Sequence, residues 1–155
     1  MIDSTEKANT MEIRLENQLT EIQRLAEIVE AFGLTHHLPP TVVFKLNLAL
    51  DEVLTNVIEY GYEDGARHEI LVVLALTDGM MTAEVVDDGR PYDPTRTPEP
   101  DLTLSLEERP IGGLGIYFAR RMMDRVEYRR DGSLNRLCLT RQISSDQTSA
   151  GSELN

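Results

Sequence analysis

Glu52 and Asn56 stand four residues apart in the run Leu48-Ala49-Leu50-Asp51-Glu52-Val53-Leu54-Thr55-Asn56-Val57-Ile58, which otherwise reads as the apolar face of a helix. At that spacing both side chains emerge on one face with Cβ atoms roughly 6 Å apart, close enough to act on one ligand. A carboxylate accepts a proton or neighbours a metal, and an amide oxygen is a neutral ligand for a hard cation such as Mg2+. The same pair also reads as the solvated polar edge of an amphipathic helix.

Two more clusters have chemical potential. Asp87-Asp88-Gly89 closes an apolar alternating segment. An acid where a strand meets a loop can accept a hydrogen bond from an exocyclic amine, and the glycine lets a ligand approach the backbone, although Asp-Asp-Gly is also a common turn. Gly112-Gly113-Leu114-Gly115 stands at the mouth of a short helix. Free N–H groups and the positive dipole end there can cradle phosphate, and a flexible hinge has the same composition. The run matches neither the P-loop nor the dinucleotide fingerprint, because no Lys-Ser/Thr follows and no strand directly precedes it. Arg109, just upstream, is a candidate to neutralise a terminal phosphate, with a solvated arginine as its plain alternative.

The elements that must position these groups follow from periodicity. Residues 1–10 and 142–155 are polar and read as flexible ends. Met11 to Leu15 alternates as a strand, and Thr20-Glu21-Ile22-Gln23 reads as a capping box opening a helix with the stripe Ile22, Leu25, Ala26, Val29 and Phe32, stopped at Gly33. Pro39-Pro40 presets a second helix from about Thr41 to Tyr60, ended by Gly61, with the stripe Val43, Leu46, Leu50, Val53, Leu54 and Val57. Glu69 to Leu76 and Met80 to Val86 form a hairpin around Asp78-Gly79. Residues 90–111, with Pro91, Pro94, Pro98, Pro100 and Pro110, lack periodicity and read as a lid. A helix from Gly115 to Met123 and a hairpin around Asp131-Gly132 complete the chain. The order βααββ-lid-αββ predicts one α+β domain over residues 11–141, a two-layer sandwich of mostly antiparallel sheet with helices on one face.

Composition limits the partners. With 155 residues, 15 Lys+Arg against 27 Asp+Glu and a net charge of −12, the chain has no basic excess to displace counterions from nucleic acid. Cys138 is the single cysteine, expected as a small core residue, and its solitude points to a reducing compartment. No stretch approaches a membrane span and the first residues lack a signal-peptide pattern, so the expected location is the cytoplasm. The neighbouring His36 and His37 make a poor metal site and are expected to be solvated.

An acid and an amide on a long helix, Asp-x-Gly after a strand and a glycine-rich closure at a helix start occur here in one order. This pattern resembles the GHKL ATPase superfamily (Bergerat fold), and within it the anti-sigma-factor serine/threonine kinases of the RsbW and SpoIIAB type, across about residues 11–141. The resemblance implies ATP and Mg2+ as cofactors. It implies Glu52 as general base and Asn56 as metal ligand, with Asp87 and Gly89 reading adenine. Gly112, Gly113, Leu114 and Gly115 would wrap the phosphates, with Arg109 as a catalytic lid residue. Tyr60-Gly61-Tyr62 looks like the family's His-Gly-Tyr with tyrosine for histidine. The family's lid arginine lies closer to the glycine box than Arg109, and ungapped reading places Ala26 where relatives carry a partner-contacting arginine, with Arg24 nearby. The implied activity is phosphorylation of a STAS-type anti-anti-sigma protein by a homodimer that sequesters a sigma factor. The alternative is a nucleotide-dependent binding regulator without phosphotransfer. A sensor histidine kinase does not fit, because His36 and His37 sit beside Pro39-Pro40 rather than on a dimerising helix.

Overall fold

The computed structural model describes residues 4–7, 9–96 and 113–143, and every structural statement below concerns those residues. Strand β1 (Ser4–Lys7) pairs antiparallel with β2 (Thr10–Glu16), whose alternation buries Met11, Ile13 and Leu15 on one face. Helix α1 (Thr20–Thr35) and helix α2 (Pro40–Tyr60) follow, then β3 (Glu69–Thr77) and β4 (Met80–Asp87). A single 3-10 turn at Pro94–Arg96, α3 (Gly113–Met122), β5 (Arg125–Asp131) and β6 (Leu134–Gln142) complete the described chain. The six strands form one antiparallel sheet in the order β1-β2-β3-β4-β6-β5. The chain is therefore an α+β two-layer sandwich, as the element order implies.

Strand parity builds the core. Ile70, Val72 and Leu74 of β3, Met81, Ala83 and Val85 of β4, and Leu137 and Leu139 of β6 are all buried with Leu25, Val29 and Phe32 of α1 and Leu46, Leu50, Val53 and Leu54 of α2. Each such Val, Leu, Ile, Met or Phe side chain stabilises the fold by about 1.5–3 kcal/mol on burial, before the cost of ordering it. The β3–β4 hairpin turns on Asp78 (φ 51) and Gly79 (φ 75), the two positive φ values that a right-twisted two-residue turn requires.

Several local expectations are corrected. Residues 4–7, assigned to a flexible end, form an edge strand. The capping box at Thr20 does not form: α1 takes Leu19 as its N-cap with no side-chain cap, which puts Thr20 inside the first turn, and the Glu21 carboxylate accepts from the Glu16 N–H (3.0 Å) and from Arg24 (2.9 Å). Gly33 does not end α1. It lies inside the helix, where a Cβ would stand 2.5 Å from Val43 Cγ2, so it is the small residue that lets α1 and α2 approach. Val43 accordingly faces α1, and Val42 and Ala49 join the buried stripe in place of Val43 and Val57. Cys138 is only half-buried, since its parity in β6 opposes that of the buried Leu137 and Leu139. The second hairpin loop is Gly132-Ser133, one residue later than expected, and α3 begins at Gly113 rather than Gly115.

Candidate functional site

The amphipathic pattern of α2 leaves Asn56 on the edge of its buried face, one turn beyond the buried Val53. There it lines a cavity of 590 Å³ together with Val53, Val57 and Tyr60 of the same helix. Ile116 of α3, Val85 and Asp87 of β4, and Tyr128 and Asn135 of the β5–β6 hairpin supply the other walls. The volume and the mostly apolar lining with a few convergent polar groups suit a small organic ligand. The Nδ2 of Asn56 is buried without a hydrogen-bond partner. An unpaired buried donor costs about 1–3 kcal/mol, a cost that a ligand in the cavity could relieve by accepting from Asn56. Its Oδ1 has the chemistry of a Mg2+ ligand, and that ion ordinarily takes only one or two protein groups alongside phosphate oxygens and water.

Glu52 is half-buried one turn earlier, and a Cβ at residue 115 would overlap its carboxylate. The fold thus brings the acid of α2 against the first turn of α3, where the dipole favours negative charge. Burial, and then the Asp51 charge beside it, pushes the Glu52 carboxyl above its ordinary value. A carboxylate raised towards neutrality is a better proton acceptor for a hydroxyl than an unperturbed one. Gly113 and Leu114 open α3, and their placement is described for the backbone alone. Gly112 and Arg109, with most of the expected lid, lie outside the described residues.

Asp87 shares the parity of Met81, Ala83 and Val85, so the strand directs it to the helix-covered face, where it is 6% exposed. Its Oδ1 accepts from the Gly89 N–H (2.9 Å) and from Asn135 Nδ2 (2.9 Å). Burial pushes the Asp87 carboxyl up, and these two hydrogen bonds pull it back. Gly89 is glycine for a steric reason: a Cβ would stand 2.7 Å from the Gly61 carbonyl oxygen. The Arg90 N–H donates to that same carbonyl (2.9 Å), which ties the end of α2 to the loop after β4.

Two groups of residues escaped the sequence reading. Asn135 is a buried polar residue opposite Asp87 in the β4–β6 register, and the polar break in the buried series Asn135, Leu137, Leu139 is its signal. His68 stacks on Tyr62 at 4.3 Å between ring centres. Its two ring nitrogens meet Asp64 Oδ2 (2.8 Å) and Asp88 Oδ1 (3.1 Å). Both nitrogens face acceptors, so the ring must carry both protons to donate twice. The Asp64 and Asp88 carboxylates accordingly hold the His68 pKa above its ordinary value. A raised folded value means this stabilisation is complete below the unfolded pKa of about 6.5 and is lost as pH rises through the folded one. Melting temperatures of wild type and His68→Gln should therefore differ most at about pH 6 and differ less as pH rises through the raised folded value. A difference constant across that range would exclude the imidazolium clasp.

The resemblance also marked residues on α1. Arg24 is held by Glu21 and by the Arg14 carbonyl (2.6 Å), and Ala26 lines a second cavity of 490 Å³ between α1 and α2, apart from the Asp87 site. Among the described residues no group of three or more His, Cys, Asp or Glu is arranged around a metal position, and no helix is long and apolar enough to cross a membrane.

Residues 15–141 match the family model described as histidine kinase-like ATPase domain. The chain is 33% identical over 97 residues to the serine/threonine-protein kinase BtrW of Bordetella bronchiseptica, covering 63% of this chain and 68% of that protein. It is 26% identical over 106 residues to the serine-protein kinase RsbW of Bacillus cereus, covering 66% and 65%. The chain thus spans about two thirds of the length of these curated relatives. The RsbU and RsbW domains of a Mycobacterium tuberculosis protein superpose with a TM-score of 0.65 at 16% identity, over 88% of this chain and 33% of theirs. A histidine kinase domain from Erythrobacter litoralis gives 0.55 at 16%, over 84% and 63%. At such identities the structural matches speak for the fold.

Proposed function

The chain belongs to the histidine kinase-like ATPase domain family, and from that premise we propose that it is an ATP-dependent serine/threonine protein kinase acting as an anti-sigma factor in partner switching. Its substrate in this reading is a STAS-type anti-anti-sigma protein, and a homodimer sequesters a sigma factor in the cytoplasm while that antagonist is phosphorylated. The observation that carries the proposal is convergence. Asp87 and the orphaned Asn56 amide line one cavity, and Glu52 stands one turn from Asn56 against the opening of α3.

In the proposed reaction Asp87 accepts a hydrogen bond from the adenine amine, which sets the nucleotide's orientation. The first turn of α3, opened by Gly113, Leu114 and Gly115, supplies backbone N–H groups for the phosphates, with Gly112 and Arg109 assigned to the same task. Asn56 would hold Mg2+, which when bound neutralises phosphate charge and orients the terminal group. The hydroxyl oxygen of the partner's serine forms a bond to the γ-phosphorus as the bond to the β,γ-bridging oxygen breaks. ADP leaves, and Glu52 takes the hydroxyl proton. Positioning and charge neutralisation supply most of the acceleration.

The test is transfer of labelled γ-phosphate to a STAS-type partner in the presence of Mg2+. Glu52→Gln should slow transfer by about 10²–10⁴-fold while ATP affinity stays close to wild type. Transfer at the wild-type rate would remove Glu52 from the role of base. ATP that alters partner affinity while no label reaches a serine would favour the binding-regulator reading instead.

A further inference from the structure

Asn135 is the most fully bonded polar side chain at the cavity, and the proposed reaction does not use it. Its Nδ2 donates to Asp87 Oδ1 (2.9 Å) and to the Arg90 carbonyl (2.9 Å), with the Gly89 carbonyl at 3.3 Å. Its Oδ1 accepts from the Tyr128 hydroxyl (2.6 Å) and from Arg130 Nη1 (3.1 Å). Three acceptors surround the nitrogen and two donors surround the oxygen, so the amide has one permitted orientation. A flipped amide would set its oxygen against a carboxylate and two carbonyls. Arg130 Nη1 also donates to the Gly89 carbonyl (3.1 Å), so the β5–β6 hairpin grips both the acid and the loop that follows it.

The consequence falls on Asp87. Among the described residues both of its hydrogen bonds end on Oδ1, and since Asp87 lines the cavity, Oδ2 is the oxygen left to accept from a ligand. We propose that Asn135 is a positioning residue that locks the Asp87 carboxylate so that a single oxygen, Oδ2, meets the ligand as a hydrogen-bond acceptor, selecting a base that presents an exocyclic amine over one that presents a carbonyl. The selection clause rests on the nucleotide reading above; the locking of Asp87 does not. Asn135 also opposes the effect of burial on Asp87, because its N–H stabilises the ionised form. Without that donor the carboxyl gains a proton more readily, and a protonated carboxyl can donate where the amine needs an acceptor.

Threonine and valine separate this role from a packing role, since they share a shape and differ in one hydroxyl that can donate to Asp87 Oδ1. In nucleotide-free protein, a carboxyl ¹³C titration should place the Asp87 pKa about one to two units higher in Asn135→Val than in Asn135→Thr. At neutral pH the valine variant should bind ATP about 10-fold more weakly than the threonine variant and weaken further towards about pH 6, with kcat at saturating ATP alike in both. Tyr128→Phe, which removes one donor to Asn135 and leaves Asp87 untouched, should shift Asp87 in the same direction by less, and it keeps the question answerable if the valine variant folds poorly. Equal Asp87 titrations in the threonine and valine variants, or an unshifted one in Tyr128→Phe, would overturn the proposal. If the Asp87 shifts appear while wild type binds no ATP, the nucleotide reading and the selection clause fall together and the locking of Asp87 stands.

Discussion

Asp87→Asn is expected to keep the fold and to lose ATP affinity by about 10²-fold or more. The two side chains have nearly one shape, and the two donors on Asp87 Oδ1, the Gly89 N–H and Asn135 Nδ2, dictate which way an amide would sit. Its oxygen would take their hydrogen bonds, and its NH2 group would point where Oδ2 now accepts. An acceptor facing an exocyclic amine becomes a donor facing a donor, so a favourable charge-assisted bond is exchanged for an unpaired group. Stability should move the other way. Because burial raises the Asp87 pKa in the folded state, its stabilising contribution is present below the unfolded value of about 3.9 and becomes a cost as pH rises through the folded value. At neutral pH the neutral isostere is therefore expected to melt no lower than wild type. Calorimetric ATP binding and a thermal melt check both halves, and ATP affinity within about 3-fold of wild type would remove Asp87 from the ligand's contacts.

Asn56→Leu should likewise separate stability from function. The buried Nδ2 of Asn56 has no partner among the described residues, and replacing such a group with an apolar one of similar volume is neutral or stabilising by about 1 kcal/mol. For a chain of this length that corresponds to a rise of about 2–4 °C in melting temperature. Wild type should gain roughly 2.7 kcal/mol from MgATP at 100 times its dissociation constant, and the leucine variant should gain almost none of it. A variant that melts well below wild type without nucleotide would show Asn56 to be structural. One that still gains the full ATP shift would show that the nucleotide does not depend on it.

Helix α2 was legible because its information is local. Apolar residues recur every three to four positions, Pro39-Pro40 presets the entry, and Gly61 closes the last turn on Val57. Glu52 and Asn56 stood out for the same local reason, as polar residues on an apolar helix face, and Asp87 as an acid where a strand meets a loop. The signals that misled were also local: α1 takes Leu19 as its N-cap, one residue before the Thr20 capping pattern, and Gly33 proved to be a contact with Val43 rather than a stop. The family model covers residues 15–141, the greater part of the stretch on which the motif order rested.

By itself the sequence determined the two long helices, the two hairpins and the helix face shared by Glu52 and Asn56, since each depends on residues within a few positions of one another. Only the tertiary structure decided that Asp87 meets Asn135, that Glu52 meets Gly115 and that His68 is clasped by Asp64 and Asp88. The first contact exists because β4 pairs with β6 rather than solely with its hairpin partner β3, and the second because α3 is laid against α2. Such pairings are set by burial summed over the whole sheet and its helices, a quantity no short window of residues contains.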